Sequence, residues 1–139
     1  MNHQTFADTS FFIALVDVDD ESHKAAERLA DRLQGELVTT TGVLLELGAF
    51  FSAPPTRRAF AELNRLIRAG DGIVLIPLDE ALQDEGTALF LARPDKGWSL
   101  MDCTSFVLMN QRSIHKALTT DHHFKQAGFE TPMLAEMRE

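Results

Sequence analysis

Residues 73–92 read Ile73-Val74-Leu75-Ile76-Pro77-Leu78-Asp79-Glu80-Ala81-Leu82-Gln83-Asp84-Glu85-Gly86-Thr87-Ala88-Leu89-Phe90-Leu91-Ala92. The first four are an aliphatic run of strand length. Asp79 or Glu80 then opens a helix that runs to about Ala92. The same strand-then-helix step recurs on both sides. Toward the N-terminus, Pro54-Pro55 opens a helix that Gly70 ends, and Thr40-Thr41 caps one through Phe51 behind a brief strand at 36–39. Before that, apolar residues at 25, 26, 29, 30 and 33 have helical spacing, and Gly35 stops the run. A short first strand ends at Ala7, and Phe11–Val16 reads as a buried helix start capped by Thr9 or Ser10. Toward the C-terminus, Ser99 caps a helix to about Gln111, and 116–119 reads as a strand. Residues 121–127 read as a short helix stopped by Gly128, and 131–134 as a last strand. Alternation of this kind predicts an α/β fold: a mostly parallel sheet of about four to five short strands, covered by helices on both faces.

At 139 residues the chain is one domain, spanning 1–139. A chain of this size buries about two thirds of its unfolded surface, enough to hold the fold without disulfides. The lone Cys103 has no internal partner and reads as a small buried hydrophobe. No apolar stretch has the roughly 20 residues of a membrane span, and the first ten residues show no secretory signal. The expected compartment is the cytoplasm. The net charge of −8 argues against a protein that coats nucleic acid through its overall charge. It leaves open an enzyme whose acids are gathered around metal ions.

Ligands of an open α/β sheet bind at the carboxyl ends of its strands. Asp8 and Asp121 fall there, although each is also placed to cap a helix. Glu46 interrupts the apolar segment Val43-Leu44-Leu45-Glu46-Leu47, where a charge must be paired, exposed or metal-bound. Gly42, Ala49 and Ala53 form a stripe of small residues beside it, with room for a backbone or a ligand. Asp102 stands three residues after Ser99, the spacing of a capping box, which also puts its carboxylate near the helix start. Together the four acids suggest a site for a hard divalent ion such as Mg²⁺ or Mn²⁺. Such an ion neutralises phosphate charge and activates water for in-line attack.

Other residues have plainer readings. His122 and His123 are adjacent, but no further ligands stand at zinc spacing. His23 reads as a packing residue at a helix start. Trp98 reads as packing beside the Asp102 helix, with base stacking as the alternative. Asp17, Asp19 and Asp20 lack the glycine and distal glutamate of a calcium loop and read as a solvated turn.

Five blocks, in order, resemble the PIN-domain ribonucleases, and within them the VapC-type toxins of toxin–antitoxin pairs. They are Asp8-Thr9-Ser10; Asp20 with His23 and Ala25-Ala26; Thr40-Thr41 with Glu46; Trp98-Ser99-Leu100-Met101-Asp102 with Ser105-Phe106; and Thr119, Asp121, His123-Phe124 and Ala127-Gly128-Phe129. The resemblance implies a three-layer sandwich and a Mg²⁺- or Mn²⁺-dependent endoribonuclease. Its acidic quartet falls on Asp8, Glu46, Asp102 and Asp121. The three aspartates would hold metal directly or through water, and Glu46 would ligate or position the attacking water. Ser10 and Thr119 would orient the carboxylates, a role that tunes metal sites. The implied partners are an RNA substrate and a small antitoxin whose tail enters the cleft, and a homodimer is the expected assembly. The chain departs from the pattern at His123, where some relatives carry a further acid.

Residues 54–70 carry Arg57, Arg58, Arg65 and Arg68 against Glu62 alone, a local charge of four minus one, +3. On a helical wheel the four lie at roughly 0°, 100°, 80° and 20°. Ala59, Phe60, Leu63, Leu66 and Ile67 occupy the opposite arc and are expected to pack on the core. The basic face is either solvated or a ridge that holds RNA phosphates. Two other functions compete with a toxin nuclease. One is a PIN-like binding module without catalysis, which has no need of four acids near one cleft. The other is a phosphatase with Asp8 as nucleophile, which needs an Asp where this chain has Ser10.

Overall fold

Four short strands run parallel in one sheet: β1 (Thr5–Ala7), β2 (Leu37–Thr40), β3 (Ile73–Ile76) and β4 (Ala117–Leu118). The computed structural model describes residues 3–137. The spatial order is β3-β2-β1-β4. Phe6 of β1 stands in register with Val38 on one side and Ala117 on the other. β1 and β2 are buried along their whole length, as befits strands covered on both faces, whereas the edge strand β3 is half-buried. Among the described residues eight α-helices flank the sheet: α1 (Thr9–Val16), α2 (His23–Arg32), α3 (Thr41–Phe50), α4 (Arg57–Arg68), α5 (Glu80–Ala92), α6 (Leu100–Gln111), α7 (His122–Gln126) and α8 (Pro132–Glu136). None among the described residues is long and apolar enough to cross a membrane.

The chain lays β1, β2 and β3 outward in one direction, then returns to place β4 on the other side of β1. The reversal creates a crevice at the carboxyl ends of β1 and β4, the switch point where open α/β sheets bind ligands. A cluster of aromatic rings fixes the elements around it. Phe106 of α6 meets Phe124 of α7 edge to face at 4.9 Å, and Phe124 stacks on Phe6 of β1 at 6.0 Å. All three rings are buried. Such pairs add about 0.5–1.5 kcal/mol each beyond their buried area. Phe6 precedes Asp8 by two residues, Phe106 follows Asp102 by one helical turn, and Phe124 follows Asp121 by three. The ring cluster therefore sets the spacing of three of the acids.

Three sequence expectations need correction. The predicted strand at 131–134 is the helix α8. Pro132 at its start has no N–H for a ladder and its fixed φ suits the first helical position. Among the described residues beyond β4, Glu130 alone bridges to the sheet side, through Lys116. Second, α1 begins at Thr9, two residues earlier than expected, and Asp8 holds the cap position without making a side-chain cap bond. Third, Leu66 is 45% exposed although Leu63 and Ile67 are buried. It lies at the margin of the apolar arc of α4, where the core no longer reaches. The turn at Asp17–Asp20 is local as expected, with the Asp17 and Asp20 carboxylates accepting from Asp19 and Ser22 backbone N–H groups. His23 packs α2 on α1, its Nδ1 2.7 Å from the Ala14 carbonyl. Trp98 is buried and lies edge to face on Phe106 at 5.2 Å. Cys103 is fully buried.

Candidate metal centre

Asp8, Glu46, Asp102 and Asp121 line one open pocket of about 680 Å³ at the crevice. They come from four places in the chain: the end of β1, the middle of α3, the first turn of α6 and the loop after β4. Ser10, Thr9, Ser99 and His123 line it too, with an apolar rim of Ile13, Ala49 and Phe50. No Lys or Arg stands among the lining residues.

Asp8 is the most deeply set, 8% exposed. Its Oδ2 accepts from the Thr119 hydroxyl at 2.9 Å. Burial pushes its pKa up to about 7, against the pull of that hydroxyl and the Thr9 backbone N–H; the Glu46 and Asp102 carboxylates push the same way. Thr119 also accepts from the Asp121 backbone N–H at 3.0 Å, so one hydroxyl ties the ends of β1 and β4 together. Ser10 sits behind it, 3.3 Å from the Thr119 hydroxyl and accepting from the Thr120 N–H at 3.0 Å. Thr119 thus touches a carboxylate directly, and Ser10 acts on the same carboxylate through Thr119.

Asp102 serves two ends. Its carboxylate accepts from the Ser99 N–H at 3.0 Å while the Ser99 hydroxyl accepts from the Asp102 N–H at 2.9 Å, completing the capping box. The same Oδ2 lies 2.9 Å from His123 Nδ1. Burial raises the Asp102 pKa, with Asp121 adding to the rise and the Ser99 N–H and His123 opposing it. Asp121 caps α7, accepting from the His123 N–H at 2.9 Å, and is half-buried toward the pocket. Capping and facing the cleft are therefore compatible for both residues.

Glu46 is exposed at the lip, where it accepts from the Thr9 hydroxyl at 2.6 Å. The small-residue stripe beside it does not all serve a ligand. At Gly42 a Cβ would come within 2.6 Å of Met101 and 2.8 Å of Leu78, so side chains fill that space. Ala49 alone of the stripe lines the pocket. Arg57, Arg58, Arg65 and Arg68 are exposed on α4 and outside the pocket lining. Arg57 donates to the Ser52 carbonyl and Arg68 to Asn64.

His123 is the site residue that spacing on its own did not single out. Its Nδ1 also lies 3.2 Å from Asp121 Oδ1. Asp102, Asp121 and His123 form the one group among the described residues that brings three such ligand atoms within 4.8 Å of one another. The chemistry of the donors fits a divalent ion: oxygens dominate, negative charge is in excess, and a buried carboxylate has no cation to neutralise it.

The PIN domain family matches residues 5–130. This chain belongs to the PIN-domain family. Over 124 residues it is 28% identical to the 23S rRNA-specific endonuclease VapC20 of Mycobacterium tuberculosis, covering 89% of this chain and 94% of the relative. The crystal structure of M. tuberculosis VapC20, described as a sarcin-ricin loop cleaving toxin, superposes with a TM-score of 0.83 at 26% identity. The match covers 90% of this PIN domain and 95% of the VapC20 chain. The likeness within the family is thus to VapC-type toxins, and the all-parallel sheet with helices on both faces is the arrangement expected from the sequence.

Proposed function

We propose that this PIN domain is a divalent-metal-dependent endoribonuclease of the VapC type, held inactive by a cognate antitoxin. The observation that carries the reading is the gathering of Asp8, Glu46, Asp102 and Asp121 at one crevice whose lining holds no Lys or Arg. Asp8, Asp102 and Asp121 would hold Mg²⁺ or Mn²⁺, directly or through water. A bound ion would supply neutralisation of phosphate charge and acidify an attacking water. Glu46, exposed at the lip, would orient that water or join the ligands. Thr119 and Ser10 keep the Asp8 carboxylate aimed into the crevice, and the buried rings of Phe6, Phe106 and Phe124 hold the three aspartates at fixed spacing. The apolar rim of Ile13, Ala49 and Phe50 limits water at one side.

The substrate of VapC20 makes ribosomal RNA the first RNA to test. A cleft with excess negative charge also accepts a cation, and an antitoxin tail bearing Arg would match its carboxylates. The deciding experiment is inducible expression with sequencing of new RNA 5′ ends, comparing wild type with Asp8→Asn. Wild type should create discrete new ends. Asp8→Asn, folded to the same extent, should lose cleavage by roughly a hundredfold or more, the scale of several kcal/mol of charge stabilisation. Cleavage by Asp8→Asn at the wild-type rate would falsify the site. Binding of RNA without cleavage by either protein would favour a non-catalytic module.

A further inference from the structure

We propose that His123 is itself a metal ligand, a nitrogen donor that turns this site toward Mn²⁺ and away from Mg²⁺. The inference rests on the metal-centre reading above and goes beyond the acidic quartet. His123 occupies the first turn of α7, immediately beyond the Asp121 cap. Its Nδ1 lies 2.9 Å from Asp102 Oδ2 and 3.2 Å from Asp121 Oδ1. The other ring nitrogen faces away, 3.8 Å from where a Cβ on Gly97 would stand. The nitrogen turned toward the acids is therefore the one a metal would meet.

The spacing is that of neighbouring ligands on one ion. Octahedral ligands at about 2.1 Å stand about 3 Å apart along each edge. The two N···O separations fit such edges without moving the ring. In this structure Nδ1 is hydrogen-bonded to Asp102 Oδ2 and stands beside Asp121 Oδ1. To hold an ion, Nδ1 would give up its proton, as ligand nitrogens require. Mn²⁺, although it also favours carboxylates, is a first-row ion that accepts an imidazole nitrogen more readily than Mg²⁺, which keeps oxygen ligands and water. His123 also removes one negative charge relative to a carboxylate at the same place, which weakens a purely electrostatic hold on Mg²⁺.

Pulsed electron paramagnetic resonance of the Mn²⁺-loaded protein tests this without reference to activity. Wild type should show modulation from a directly bound imidazole nitrogen. His122→Asn should keep it, because His122 is exposed and outside the pocket lining. His123→Asp should lose it while still binding Mn²⁺. Calorimetric titration should show the Mn²⁺-to-Mg²⁺ affinity ratio falling in His123→Asp by roughly tenfold or more, the scale on which even the outer partners of ligands act. His123→Asn, closer in size and uncharged, checks that the loss does not come from a misfolded α7. Mn²⁺ bound without nitrogen modulation in wild type would overturn the inference and leave the acidic site standing. Modulation that persists in His123→Asp would overturn it as well. Failure of wild type to bind Mn²⁺ at all would overturn both this inference and the metal-centre reading.

Discussion

Three acids follow strands in this PIN domain, and they meet different fates. Asp8 follows β1 and Asp121 follows β4; both line the crevice. Asp79 follows β3, accepts from the Leu82 N–H at 2.9 Å, and stays exposed outside the pocket. In sequence the three are alike: a short strand, an acid, a helix. Strand order separates them. β1 and β4 are neighbours, whereas β3 is the far edge of the sheet. With about 4.8 Å between strands, β3 stands roughly 14 Å from β4. The acids at the switch point, Asp8 buried and Asp121 half-buried, stand beside other acids, and the one at the edge is hydrated and only caps a helix.

The largest expected effect that breaks this comparison is on the pH dependence of stability. Burial holds the Asp8 pKa at about 7 in the folded protein, against 3.8 for a free carboxyl. Between those values the folded state holds a proton that the unfolded state has released. The stabilisation is complete below about pH 4 and is lost as pH rises through 7, a total on the order of 4 kcal/mol. In urea titrations without divalent ions, Asp8→Asn should gain on wild type as pH rises and exceed its stability above pH 7. Parallel pH profiles for the two proteins would show that Asp8 does not carry the raised pKa.

A smaller effect sharpens the same comparison. A divalent ion that binds only the folded state adds RT ln(1 + [L]/Kd), about 2.7 kcal/mol at a hundred times Kd. Mn²⁺ should raise the melting temperature of wild type and of Asp79→Asn alike. It should do little for the double variant Asp8→Asn, Asp102→Asn. A lost response in Asp79→Asn would mean that the β3 edge takes part in binding.

The smallest effect asks whether the β3 side contributes to RNA binding at all. α4 packs against β3 and α3 and carries the four arginines on its exposed face. If that face holds phosphates, Arg58→Gln with Arg65→Gln should weaken binding across RNA sequences and flatten the salt slope. The change should be about 0.7 per lost contact for a single strand, with metal affinity untouched. An unaltered slope would leave α4 as a solvated amphipathic face.

The sequence by itself determined the elements, because period and punctuation are local. Ile73–Ile76 and Leu100–Gln111 lie where their patterning puts them. The Ser99 capping box forms because its partners are three residues apart. What local pattern could not settle was decided by packing. Pro132 is the exception, a local signal: its missing N–H and fixed φ make the apolar run α8 rather than a strand. Gly42 reads as room for a ligand until Met101 and Leu78, from distant segments, are found occupying it. The strand-end acids were visible, but their convergence depended on β4 returning beside β1. His123 joined the site because α7 starts at the mouth of that crevice and places an imidazole between Asp102 and Asp121, residues 21 and 2 positions away in the chain. Burial, and with it the shifted acidity of Asp8, exists only once strands and helices far apart in sequence exclude water around one carboxylate.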